Sequence, residues 1–135
     1  MKYGLVKNKI KTGEESLKLD KRKLPFKLLD FWKWSVSDLL SNTTRGKFAE
    51  FIVGTATNVN INIPRNEWAA YDLTTKDGIK IEVKSAAFIQ SWSQEKLSKI
   101  SFSIKPSRYW NSETNEQSKT KIQICRCLCH VSFIN

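Results

Sequence analysis

No window in the 135-residue sequence approaches the roughly 20 apolar residues that a membrane-spanning helix needs. The opening residues Met1-Lys2-Tyr3-Gly4-Leu5 also lack the apolar run of a secretory signal, so a cytoplasmic location and no membrane partner are expected. Cysteine is scarce, and Cys125, Cys127 and Cys129 all fall in the last dozen residues, where they cannot staple a fold as a disulfide framework does. Acidic residues are few: 13 Asp and Glu stand against 23 Lys and Arg, for a net charge of +10. That excess makes an attractive field for polyanions, although basic surfaces also occur on proteins that never touch nucleic acid. With so few carboxylates, any found among apolar neighbours are harder to dismiss as solubilising decoration. The length suits one domain with one modest core, and 40% hydrophobic with 27% charged residues is ordinary for a globular protein.

Residues 1–34 read as a basic, partly aromatic arm. Residues 1–24 are rich in lysine and weakly patterned, and no fixed structure is assigned to them. Phe26 to Trp34 is dense in aromatics, which suggests a short element packed on the core, with base stacking as the sharper alternative. Residues 35–118 form the expected core. Ser35 and Ser37 before Asp38-Leu39-Leu40 mark a helix start, because serine oxygens can accept from the free amides of a first turn. From Arg45 the pattern firms. Phe48, Phe51, Ile52 and Thr55 follow the spacing of one buried helical face, with Glu50 at its edge, able to point toward a neighbouring sheet.

A strand is expected over Glu67–Leu73, followed by Thr74-Thr75-Lys76-Asp77-Gly78 and a second strand over Ile79–Lys84. Asp-Gly between two apolar runs is a hairpin signal, since glycine supplies the positive φ that such turns need. Ile79, Ile81 and Val83 face one side, and Lys80, Glu82 and Lys84 the other. Asp72 joins the second face whenever it opposes an even-numbered residue such as Lys80 or Glu82, and the apolar pattern of both strands favours that register. Ile100–Lys105 alternates as a third strand, ended by Pro106.

Two carboxylates brought together repel each other, and a divalent cation relieves them. Mg²⁺ prefers such hard oxygen ligands and keeps waters for a phosphate and an attacking hydroxide. Lys84 alongside would stabilise charge developing on phosphorus, or orient and deprotonate the water. The bland alternative is a solvated hairpin face with alternating Lys-Glu-Lys. Lys105, Arg108, Tyr109 and Trp110 after the third strand can grip a phosphate backbone and stack a base, or simply form a solvated strand end with one packed tryptophan.

Asp72, the spacer, and then Glu82-Val83-Lys84 on the next strand resemble the signature of the restriction-endonuclease-like PD-(D/E)XK nuclease superfamily. Arg45–Val53 looks like that superfamily's first core helix. Ser85–Trp92 and Ile100–Ile104 resemble a group of mostly uncharacterised bacterial and phage-associated members. The resemblance covers roughly residues 40 to 115 and implies an α/β fold with a restriction-endonuclease-like core: a mixed β-sheet with a central antiparallel hairpin flanked by helices. It implies Asp72 and Glu82 as metal ligands, a contact from the Val83 carbonyl, Lys84 as the catalytic cation and Glu50 as a further acidic ligand. The implied cofactor is Mg²⁺, or Mn²⁺ in its place.

The tail, residues 119–135, departs from that pattern. The family continues with a further core strand and helical elements, which Ile122–Phe133 does not resemble, so a premature or frame-shifted end is expected. Cys125, Cys127, Cys129 and His130 offer zinc-ligand chemistry, but alternate cysteines are not the usual paired loops, and a buried apolar strand is the favoured reading over any zinc site. The expected function is Mg²⁺-dependent hydrolysis of nucleic acid, DNA in the first place, with homodimerisation open. The alternatives are a catalytically impaired nucleic-acid-binding protein and a structural or protein-interaction domain whose aromatic segment docks on a partner.

Overall fold

The computed structural model describes residues 6–103, 106, 108–111, 114–121 and 127–133, the last of these along the backbone. Among them the order is β1 (Ser16–Leu19), β2 (Arg22–Lys27), α1 (Leu28–Val36), α2 (Asn42–Ala56), β3 (Leu73–Thr74), β4 (Lys80–Ala87), β5 (Trp110–Asn111), β6 (Glu116–Gln117) and β7 (Cys127–Phe133). The fold is mixed α/β. The central sheet has the order β3-β4-β7, with β3 antiparallel and β7 parallel to β4. None of the helices in the described residues is long and apolar enough to cross a membrane.

The arm is more ordered than its composition suggests. β1 and β2 pair as a hairpin around Asp20 and Lys21, both at positive φ, a turn that usually advertises itself with glycine and here does not. The chain before it folds back on α1. Gly13 and Glu15 offer their carbonyls to the amides of Leu29 and Leu28, each at 2.9 Å, and the Asp30 carboxylate accepts from the amide of Lys27 at 2.7 Å. These bonds satisfy the free donors of the first helical turn. Gly13, at φ +91°, lies beneath Trp32, where a Cβ would stand 3.1 Å from the indole ring.

The expected helix start at Ser35 and Ser37 is displaced. Ser37 closes α1, the Asp38 carboxylate accepts from the amides of Leu40 and Ser41 in the connecting turn, and Ser41 caps α2 by accepting from the amide of Thr44. A short carboxylate that binds backbone two and three residues ahead favours a turn over a helix, and this separates the two helices. The buried face of α2 also differs from the expected one. Phe51, Ile52 and Thr55 are exposed and Phe48 is half-buried, whereas Arg45, Ala49, Glu50, Val53 and Gly54 are buried. Small residues at i and i+4 let the helix lie close on the sheet, so Ala49 and Val53 meet Ile81 and Val83 in the core, with Leu73 beside them. α2 ends with Asn58 in the left-handed region and the Val59 amide bonded back to the Gly54 carbonyl, the arrangement of a Schellman cap.

The hairpin register has the expected parity: Leu73 pairs with Ile81 and Thr74 with Lys80, and Asp72, just before β3, donates its amide to the Ile81 carbonyl. The turn from Thr75 to Ile79 closes with Gly78 at φ +79°. Ile81 and Val83 are buried under α2, while Ile79, next to the turn, is exposed. The first strand is shorter than expected. Residues 67–72 form turns because the Asn66 side chain accepts from the Trp68 amide and curls the chain, leaving β3 at Leu73–Thr74.

Residues 100–103 are not a strand, and Ile104 and Lys105 lie outside the described residues. The segment after β4 is instead gathered by Gln94, whose side chain accepts from the Gln90 amide at 2.7 Å and donates to the Ser98 hydroxyl at 2.9 Å. The polar stretch 111–121 contributes a small hairpin, β5 with β6. In the tail, Cys127–Phe133 runs parallel to Ile81–Ala87 in continuous register. A parallel neighbour requires a crossover, and the chain between β4 and β7 is long enough for one. Cys125 lies outside the described residues, and Cys127, Cys129 and His130 fall on β7.

Candidate active site

Asp72 is placed by the end of the β3–β4 ladder. Its amide donates to the Ile81 carbonyl at 3.1 Å, and its carboxylate then takes over from the backbone by accepting from the Val83 amide at 2.7 Å. Within a strand the N–H and C=O of one residue leave on the same edge, so the Val83 carbonyl is directed to the edge that Asp72 occupies. Glu82 and Lys84, two apart on β4, share a face and form an ion pair with each other. Glu50 is brought in from α2. It sits beside the Ala49–Val53 contact with the sheet, only 8% exposed.

The charges on this edge are matched by a residue that has no place in the nuclease signature. Arg65, in the irregular segment between α2 and β3, binds Glu50 with two guanidinium nitrogens, Nη2 lying 3.0 Å from Oε1 and Nε meeting Oε2. The same Nη2 is 3.6 Å from Asp72 Oδ1. Burial, aided by the negative charges of Glu50 and Glu82, pushes the Asp72 carboxyl above its ordinary value against the opposing pull of the Val83 amide and Arg65. The hydrogen bond to Glu50, with the charges of Glu50 and Asp72, holds the Arg65 guanidinium still more firmly protonated, against the opposing effect of its burial.

Hard oxygen donors with mutual repulsion are the chemistry that a divalent cation satisfies. Glu50, Asp72, Glu82 and the Val83 carbonyl are such donors, and Arg65 stands as a cation between two of them. With Glu50 turned to Arg65 and Glu82 to Lys84, no group of three or more His, Cys, Asp or Glu side chains among the described residues is gathered to hold an ion as they stand. The donor types therefore fit a hard divalent ion, and the ion pairs are what such an ion would have to displace.

A cleft of about 610 Å³ opens at this edge. Glu50, Arg65 and Asp72 lie at its polar part, and Phe51, Ile61 and Leu73 are among its apolar walls. Ile10, from the basic arm, also lines it.

Arg45 is a second residue whose importance the sequence does not announce. It is buried at the start of α2 and donates to the Leu40 carbonyl at 2.6 Å, to the Asn42 side chain and to Gln90 Oε1 at 3.3 Å, while its Nε has no hydrogen-bond partner. Gln90, whose orientation the sequence leaves open, is thus bonded to Arg45, and its amide nitrogen donates to the Ala87 carbonyl at 2.8 Å. Arg108, Tyr109 and Trp110 are exposed at the start of the small β5–β6 hairpin, and Lys105 lies outside the described residues. The structure joins Glu50 and Asp72 through Arg65, sets the Asp72 carboxylate on the Val83 amide and pairs Glu82 with Lys84. In the sequence Arg65 is an isolated cation between the helix and the hairpin, without periodic relation to either.

No protein-family model, curated protein or solved structure matches this chain.

Proposed function

We propose that this chain is a metal-dependent nuclease with a restriction-endonuclease-like core, hydrolysing phosphodiesters of nucleic acid, DNA in the first place. The observation that carries this reading is the bond from the Val83 amide to the Asp72 carboxylate, at the strand position between Glu82 and Lys84, which pair with each other. The order of helix α2, then hairpin, then a further strand beside β4 supports it.

Asp72, Glu82 and the Val83 carbonyl would hold Mg²⁺ or Mn²⁺, with Glu50 as a fourth donor. When bound, such an ion polarises a phosphate oxygen and makes a coordinated water more acidic. Lys84 carries the protein's part of the chemistry. Its ammonium, now paired with Glu82, would orient the attacking water and offset the negative charge that builds on phosphorus. Water oxygen forms the new P–O bond as the bond to the leaving sugar oxygen breaks, and the water's proton passes to solvent while the leaving oxygen gains one. Burial and neighbouring carboxylates push the Asp72 carboxyl above its ordinary value, and a nearby positive charge would relieve that. The net charge of +10 draws in the polyanion, and Lys105, Arg108, Tyr109 and Trp110 supply phosphate contacts and stacking surface.

The two ion pairs, Arg65 with Glu50 and Lys84 with Glu82, favour a second reading, in which the chain binds nucleic acid and its carboxylates serve only the fold. The test is incubation of the purified chain with plasmid, linear and single-stranded DNA and with RNA, in Mg²⁺, Mn²⁺ or chelator, alongside Asp72→Ala, Glu82→Ala and Lys84→Ala. Cleavage that needs the metal and drops by about 10²-fold or more in each variant is expected. Cleavage that survives all three substitutions removes the site assignment, and salt-sensitive binding without cleavage supports the second reading.

A further inference from the structure

We propose that Arg65 is an exchangeable counter-cation of the site: it holds Glu50 and Asp72 together and must leave them before a divalent ion binds, so it sets the metal concentration at which the site fills. This rests on the metal-dependent reading above and adds to it a residue that the nuclease signature does not contain.

The burial of Glu50 is the first argument. Glu50 is only 8% exposed, and a carboxylate so buried is costly unless a cation pairs with it. Arg65 supplies the charge with two nitrogens of one guanidinium, the geometry that matches a carboxylate best. It also reaches Asp72 at 3.6 Å, so one cation spans two of the proposed ligands from two different elements. A divalent ion held by Glu50 and Asp72 would compete with Arg65 for the same two carboxylates.

Charge and attachment make the exchange feasible. Glu50, Asp72 and Glu82 carry three negative charges against the two positive charges of Arg65 and Lys84. Exchanging Arg65 for a divalent ion removes the remaining negative charge, whereas adding the ion beside Arg65 would place two cations against each other. Arg65 comes from a segment that is neither helix nor strand, just after Pro64, so its departure breaks no backbone ladder. The side chain is about one-third exposed, so the guanidinium can turn outward into solvent when it leaves Glu50.

The consequence is a site that is stable without metal and reluctant to bind it. Direct Mn²⁺ binding by the full chain, followed by the electron paramagnetic resonance of free Mn²⁺, tests this with no dependence on activity. Arg65→Gln should bind Mn²⁺ about tenfold more tightly than the wild type, because a charge-assisted pair no longer competes. Arg65→Lys, which keeps the charge but loses the fork, should fall between them. Equal or weaker binding by Arg65→Gln, with the wild type binding normally, overturns the exchange and leaves the metal reading intact. Binding by neither protein overturns both. Should Arg65→Gln fail to fold, the wild type still decides the matter. On titration with Mg²⁺, the Arg65 Nε–H resonance should leave its carboxylate-bonded position in step with saturation, and a resonance unmoved at saturation contradicts the proposal.

Discussion

The N-terminal hairpin with α1 and the later unit of α2 with β3 and β4 both contain an acid paired with a cation, yet the pairs live in opposite surroundings. Glu14 and Lys27 meet across the surface with more than half of each side chain exposed. Glu50 and Arg65 meet at the edge of the core. In the first unit nothing of α1 is buried, and its shape comes from local devices: carbonyls at Gly13 and Glu15, the Asp30 cap and a tight turn at Asp20-Lys21. In the second, Ala49, Val53, Ile81 and Val83 exclude water, and polar groups are buried beside them. Burying charge costs stability, and this chain does so both at Arg45 and at Glu50, the second being where the proposed chemistry needs low dielectric and converging oxygens.

This contrast is open to attack by substitution. The largest effect is expected at Ile81→Ala, which should lower stability by about 3 kcal/mol in urea unfolding because it empties the centre of the small core. Trp34→Ala, in the exposed α1, should stay within about 0.5 kcal/mol. Equal losses at the two positions would mean that the units do not differ as described. Glu50→Gln should come next, at about 2 kcal/mol, less than a fully buried pair because Arg65 is partly solvated. Glu14→Gln, at the exposed pair, should leave the unfolding midpoint unchanged.

Gly13→Ala probes the local devices of the first unit. At φ +91°, with Trp32 and Leu29 against the new methyl, it should cost about 1 to 2 kcal/mol and appear as a change in tryptophan fluorescence, with the β3–β4 amides unaffected in NMR spectra. The last effect has the opposite sign. Asp72→Asn should raise the stability of the metal-free protein at neutral pH, since it removes a half-buried charge that burial and its carboxylate neighbours disfavour. Because the folded protein raises the Asp72 pKa, the protonated form favours folding. That contribution is complete below the ordinary carboxylate value and is lost as pH rises through the raised one. The stability difference between Asp72→Asn and the wild type should therefore shrink on acidification, which paired thermal melts over a pH series will show.

Much of the central hairpin is legible in the chain because its rules are local. Period-two alternation over Ile79–Lys84 and the Asp77-Gly78 turn fix which residues face together, and the observed pairing of Leu73 with Ile81 follows. The buried face of α2 is not legible in the same way. A pattern search favours large apolar residues such as Phe51 and Ile52, whereas close approach to the sheet selects Ala49 and Val53, and only the three-dimensional packing reveals that preference. The first hairpin hides because Asp20 and Lys21 adopt positive φ without glycine. The pairing of β7 beside β4 depends on a long crossover that no short window contains. Arg65 stands 15 residues from Glu50 and belongs to no repeating pattern, so its partner could be found only in space.

The claim on which the functional account turns is that Lys84, beside Asp72 and Glu82, acts on a phosphodiester. Its most direct test is the single-turnover rate of DNA cleavage in saturating Mg²⁺, comparing the wild type with Lys84→Ala prepared in parallel. The account predicts cleavage by the wild type, a rate at least about a hundredfold lower for Lys84→Ala, and silence of both in chelator. Equal rates for the two proteins, or no cleavage of any nucleic acid by the wild type, would contradict it.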